Sequence, residues 1–157
     1  MATLVKESLK VSSSAFGENK MIPSLYSCEG KNINPPLKIS GLPSTAKSLA
    51  IIVDDPDAPK STFVHWVVWN INPITSIDEN FVSGVEGNNG AGKMGYTGPC
   101  PPSGTHHYHF KVYALDTMLD LKAGADDKSL LNAMDNHIVG YGELIGLYAK
   151  SGNEENK

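Results

Sequence analysis

The chain has 157 residues, of which 40% are hydrophobic and 19% charged, a size and composition that predict one domain able to bury a core without staples. A formal net charge of −4 and a pI near 5.7 argue against the basic stripe of a nucleic-acid binder. All thirteen basic residues are Lys, so an anion site here must use Lys, protonated His or backbone N–H groups instead of the planar Arg fork.

The opening MATLVKESLKVSSS has no continuous apolar stretch, and no run approaches the length of a membrane span. The expectation is a cytoplasmic protein without stable membrane insertion, whose Cys28 and Cys100 are free thiols. The spacing of the two cysteines does not resemble a zinc motif. In chain order, residues 3–11 (TLVKESLKV) suit an edge strand, and 48–55 (SLAIIVDD) a buried strand ending in acids. Alternation puts Leu49, Ile51, Val53 and Asp55 on one face, so Asp55 ends an inward-facing row. Pro56 and Pro59 then hold Asp57 in a stiff turn. Residues 62–71 (TFVHWVVWNI) are apolar on both faces, as in a central strand. Alternation assigns His65 to the face of Val67 and Trp69, where a lone histidine is more often a satisfied core residue than a site.

Residues 72–103 form a long polar region with nine Gly or Pro between Gly84 and Pro102. Its end, GYTGPCPPSG (95–104), reads as a stiff pocket wall, with glycines that allow backbone to approach a ligand. The next segment, HHYHF (106–110), carries three of the five histidines. Strand alternation separates them: His106 and Tyr108 head the core-side row, while His107 and His109 head a mixed row facing solvent. A three-histidine metal site is therefore not expected. Residues 126–138 read as a helix with Leu130, Leu131, Met134 and Ile138 at helical spacing, an Asp126 or Asp127 cap and a Gly140 stop. Residues 143–149 (ELIGLYA) form the last strand, and 151–157 a flexible polar tail. Strands dominate and the helix comes late and alone. The predicted fold is mostly β, an antiparallel β-sandwich with a peripheral helix and a long Gly/Pro-rich loop at the pocket end, in a single domain over 1–150.

DPDAP (55–59), VHWVVWN (64–70) and GYTGPCPPSGTHHYHF (95–110) follow one another in an order that resembles the phosphatidylethanolamine-binding protein family, which includes Raf kinase inhibitor protein. YSCEGKNINPPL (26–37) and GELIGLYA (142–149) are similar to its smaller prokaryotic branch. The resemblance implies an anion pocket at one end of the sheets, formed by Asp55, Asp57, His65, His106 and Tyr108, with Gly98, Cys100 and Pro102 on its rim. It implies a non-enzymatic module that binds phosphorylated or small anionic ligands, with no catalytic residues or cofactor; no metal is expected either, because carboxylates would hold the two histidines protonated and a metal needs neutral imidazole. Where the family has His-Arg-Tyr this chain has His106-His107-Tyr108, so a partner contact made by that Arg is lost. The chain also ends soon after its last strand, without the C-terminal helix of animal members, which argues against control of a kinase.

Two aspartates beside an anion need a division of labour. A carboxylate bonded to His65 or His106 favours the imidazolium, which then donates to a phosphate oxygen, and one aspartate could receive an ethanolamine ammonium. Three alternatives stay open: an inhibitor or scaffold gripping a kinase or protease through the rim, an Asp/His hydrolase, and a thiol enzyme using Cys100. A protein partner and a homodimer are both compatible with this reading.

Overall fold

The computed structural model describes residues 7–81 and 83–151. Ten strands and one α-helix are present among them. They are β1 (Glu7–Ser8), β2 (Lys10–Ser12), β3 (Lys20–Met21), β4 (Leu37–Ser40), β5 (Ser48–Asp55), β6 (Phe63–Ile71), β7 (Ser76–Ile77), β8 (Val85–Glu86), β9 (His106–Leu115), α1 (Asp127–Met134) and β10 (Ile138–Tyr148). The larger sheet runs β1-β10-β9-β5-β6-β8, with β3 also on β10, and the smaller runs β2-β4-β7. Neither closes on itself. The fold is mostly β with one helix, as expected.

The long pairs β10–β9, β9–β5 and β5–β6 are antiparallel. The short strands β1 and β3 lie parallel to β10, which departs from a wholly antiparallel sheet. Between them the chain leaves for the smaller sheet through β2, so it returns to β10 in the same direction. The expected edge strand over 3–11 divides accordingly into β1 and β2, and its first residues lie outside those described.

One buried cluster joins the two sheets. Leu37, Ile39 and Ile77 from the smaller sheet meet Ile51, Val53, Trp66, Phe110 and Val112 from the larger. The opposite face of the larger sheet is covered by α1. There Leu130 and Met134 pack with Ala50, Ile52, Val67 and Trp69. Strands β5 and β6 are thus buried on both faces, which is why they read as continuous apolar runs.

The helix begins as its sequence indicates, with Asp126 accepting from the Ser129 amide at 2.9 Å. It ends earlier than the periodicity suggests. Asn136 takes a left-handed φ of 67° and turns the chain into β10, so Ile138 and Gly140 are strand residues and Gly140 is not the stop. Leu131, expected in the apolar stripe, is 44% exposed. Of the polar tail, Ser151 donates its amide to Glu29, and residues 152–157 lie outside the described part.

Candidate functional site

The row Leu49, Ile51, Val53, Asp55 points into the main core, and each member is buried. Its last member brings a carboxylate to the end of that core. Both Asp55 oxygens are occupied: Oδ1 accepts the Asp57 amide at 2.8 Å, and Oδ2 accepts from His106 Nδ1 at 2.7 Å. His106 opens β9 on the same face as Tyr108 and Phe110, and its side chain is only 10% exposed.

His65 arrives by a different route. Val53 pairs with Trp66 while Asp54 pairs with Val64, so His65 is an extra residue in β6, a β-bulge. Plain alternation places it on the face of Val67 and Trp69. The bulge turns it to the opposite face, where its ring lies 4.8 Å from Phe63 and 5.2 Å from Tyr108. The partner also differs from expectation. His65 Nδ1 donates to the Thr97 carbonyl at 2.7 Å, not to a carboxylate. Burial pushes its pKa below the ordinary 6.5, and the Thr97 carbonyl and Asp55 only partly oppose this. His65 is therefore neutral near pH 7, and with its proton on Nδ1 it presents an unprotonated Nε2. Contrary to expectation, no carboxylate is hydrogen-bonded to this imidazole to hold it protonated.

These residues surround a cavity of about 190 Å³. Asp55, His65 and Tyr108 line it together with Phe63, Thr97 and the rim residues Gly98 and Cys100. Among the described residues, the Tyr108 hydroxyl is the buried side-chain polar group with no hydrogen-bond partner. Burial, reinforced by Asp55, pushes its pKa up, so it remains an O–H donor. Leaving such a group unmet costs about 1–3 kcal/mol. Two wider surface grooves lie elsewhere, one of about 980 Å³ along the 41–45 loop and one of about 460 Å³ beside β4. Neither is lined by a buried polar group without a partner.

The wall over 95–104 is strapped to the loop over 24–32. Tyr96 donates its hydroxyl to the Tyr26 carbonyl at 2.8 Å, the Gly98 amide donates to Asn32 Oδ1 at 2.7 Å, and the Cys28 amide donates to the Pro99 carbonyl at 3.1 Å. Gly98 is required by this approach, since a Cβ there would lie 2.3 Å from the Tyr26 carbonyl oxygen. The straps bring Cys28 and Cys100 to a Cα–Cα distance of 5.5 Å, and the two form a disulfide. The expectation of free thiols is overturned. So is the thiol-enzyme alternative in this state, because Cys100 has no thiol to use.

Of the remaining sequence candidates, Asp57 turns away from the cavity. Its Oδ2 accepts both the His107 amide at 2.8 Å and His107 Nδ1 at 2.7 Å, and these bonds hold its carboxyl below the usual range. Pro102 is exposed and does not line the cavity. His106 reaches it through Asp55 and through its ring, stacked 6.4 Å from Tyr108. Phe63 and Thr97 were not among the sequence candidates. Phe63 pairs with Asp55 across the ladder, which knowledge of the pairing would have indicated. Thr97 acts through its backbone carbonyl, for which the sequence carries no side-chain signal.

A family model described as phosphatidylethanolamine-binding protein matches residues 12–149. A UPF0098 protein of Pyrococcus horikoshii is 56% identical over 156 residues, covering 92% of this chain and 78% of the relative. One from Methanothermobacter thermautotrophicus is 50% identical, covering 87% of this chain and 95% of the relative. A crystal structure of a phosphatidylethanolamine-binding protein homolog from Chlamydia trachomatis is similar at a TM-score of 0.88 and 42% identity, covering 92% of this chain and 99% of that one. The crystal structure of Escherichia coli YbcL, described as a member of the mammalian family, is similar at 0.83 and 30% identity, covering 91% and 99%.

Proposed function

Because the chain belongs to the phosphatidylethanolamine-binding protein family, we propose that it is a non-enzymatic module whose cavity at Asp55, His65 and Tyr108 binds a phosphorylated or small anionic group. The observation that carries this reading is the unpartnered Tyr108 O–H, a donor kept protonated by burial inside a cavity of about 190 Å³. That volume is below the range of drug-sized sites, roughly 300–1,000 Å³, and suits a head group rather than a large ligand.

Tyr108 donates to one oxygen of the anion. His65, with its proton on Nδ1, offers Nε2 to the hydroxyl of a monoprotonated phosphate, or takes up a proton as a fully ionised anion enters. Asp55 already accepts hydrogen bonds at both oxygens, which reduces its repulsion of the ligand, and it holds the His106 ring in place. Asp57 does not enter this scheme through its carboxylate, which His107 occupies. It contributes its amide to Asp55 and so positions that group.

A hydrolase has the Asp55–His106 pair in its favour, but among the described residues no side-chain nucleophile is hydrogen-bonded to that pair, and Cys100 is in the disulfide. A grip on a protein through the rim would use the exposed Pro102 and His107, and no feature of the rim selects such a partner over a small anion. No helix among the described residues is long and apolar enough to cross a membrane. A cytoplasmic location, retained as part of this proposal, requires a cytoplasm in which Cys28–Cys100 stays oxidised.

Calorimetric titration with inorganic phosphate, sulfate and glycerophosphoethanolamine tests the reading. Phosphate should bind, and Tyr108→Phe should weaken it about tenfold, the weight of one hydrogen bond to a charged group. Sulfate should bind more tightly as pH falls, because its binding draws a proton onto His65. Glycerophosphoethanolamine tighter than phosphate would point to a lipid head group, and the reverse to a free anion. No measurable heat with any of the three, or an unchanged affinity in Tyr108→Phe, would sink the proposal.

A further inference from the structure

We propose that Cys28–Cys100 is a thiol-exchange site that latches the wall of the pocket, opened by a low-molecular-weight thiol. Both cysteines are exposed, and Cys100 itself lines the cavity mouth. A disulfide open to solvent in this way is accessible to an attacking thiolate, unlike one sealed in a core.

What the bond holds is a short, stiff segment. The hydrogen bonds that strap the wall to the 24–32 loop engage Tyr96, Gly98 and Pro99. Beyond Pro99 the segment is held covalently at Cys100 and by the burial of Pro101, and the next ladder residue is His106. Pro99, Pro101 and Pro102 keep the intervening piece rigid. At its far end Gly104 has a φ of 70° and open space where a Cβ would stand, so it can act as a hinge. Cutting the bond leaves the packing of Pro101 as the remaining hold on this piece, so it can move about Gly104 while Gly98 stays in its seat against Tyr26.

The exchange balances as follows. A small-molecule thiolate attacks Cys100 Sγ, the Sγ–Sγ bond breaks, and Cys28 leaves as a thiolate that takes a proton from water. A second small thiolate attacks the outer sulfur of the mixed disulfide. Cys100 is released and protonated, and the two small thiols depart as their own disulfide. The protein disulfide gains two electrons and the small thiols lose them. The segment that opens carries Cys100 away from the mouth and loosens the approach to His106.

Two measurements on the full chain test this, with dithiothreitol as reductant and Cys28→Ser/Cys100→Ser as an independent mimic of the open form. Under native conditions reduction should expose two titratable thiols while far-UV circular dichroism stays unchanged. Backbone ¹⁵N order parameters at Cys100, Ser103 and Gly104 should drop to below about 0.6, while β9 residues stay near about 0.85. The second arm rests on the binding reading: phosphate affinity should fall on the order of tenfold, the effect of leaving the wall to be ordered by the ligand. If neither oxidised nor reduced protein binds phosphate, the binding reading falls, and the order parameters alone decide the latch. Thiols that appear only after denaturation, or order parameters equal in the two states, would overturn it.

Discussion

Two carboxylate–imidazole pairs stand back to back at the start of β9, and they differ in little but burial. Asp55 meets His106 on the core face, and Asp57 meets His107 on the solvent face, each with 2.7 Å between Oδ2 and Nδ1. In the first pair the side chains are 5% and 10% exposed, in the second 42% and 53%. The same contact has different consequences. Inside, the surroundings screen little, and removing one partner strands the other in a poorly solvated place. Outside, water and salt reduce the attraction, and the cost of losing it is small. Geometry alone would rank the two pairs equal, and solvent exposure separates them.

Removing the Asp55 carboxylate should have the largest effect. Asp55→Ala strands His106 Nδ1 and the Asp57 amide, and chemical denaturation should report a loss of about 3–5 kcal/mol. A loss below about 1 kcal/mol would show that the buried pair is as weak as a surface one. Tyr108→Phe should separate binding from stability within the same face. Its hydroxyl has no protein partner, so the thermal midpoint should hold or rise while phosphate affinity drops. A clear fall in midpoint would mean that the hydroxyl has a structural partner after all.

The pH dependence sharpens the contrast further. His65 is a base whose folded pKa lies below its unfolded value of 6.5, so between the two the unfolded chain binds the extra proton. The neutral ring therefore favours folding fully above about pH 6.5, and this contribution is lost as pH falls from there through the folded pKa. His65→Gln should flatten that part of the stability profile, and an unchanged slope would show that another group titrates there. Asp57 acts lower and more weakly. Its folded pKa is depressed below 3.8, so its contribution is present above that value and lost as pH falls through the folded pKa. Asp57→Asn at neutral pH should cost about 0.5 kcal/mol, less in high salt, because the pair is nearly half exposed. A cost equal to that of Asp55→Ala would erase the comparison.

Much of this site can be read along the chain. The period-2 row from Leu49 to Asp55 places a carboxylate at the end of the core, and the same rule sends His106 and Tyr108 inward and His107 outward. Strand β5 coincides with its apolar run, and Asp126 caps α1 as its residue type suggests. These features are local, since alternation, capping and apolar content act within a few residues and need no knowledge of partners.

Other features depend on what lies across the fold. The face of His65 was decided by a bulge, which exists only because β6 must keep register with β5 on both sides of it. Whether Asp57 faced the pocket or solvent was decided by His107, fifty residues away in sequence. The union of Cys28 with Cys100 across a separation of 72 residues was decided by the straps that seat Gly98 against Tyr26. The sequence by itself determined the core-facing rows of β5 and β9, which bring Asp55, His106 and Tyr108 inward. Only the tertiary structure decided their partners and charge states, because register, burial and covalent pairing depend on distances between segments that the chain order does not contain.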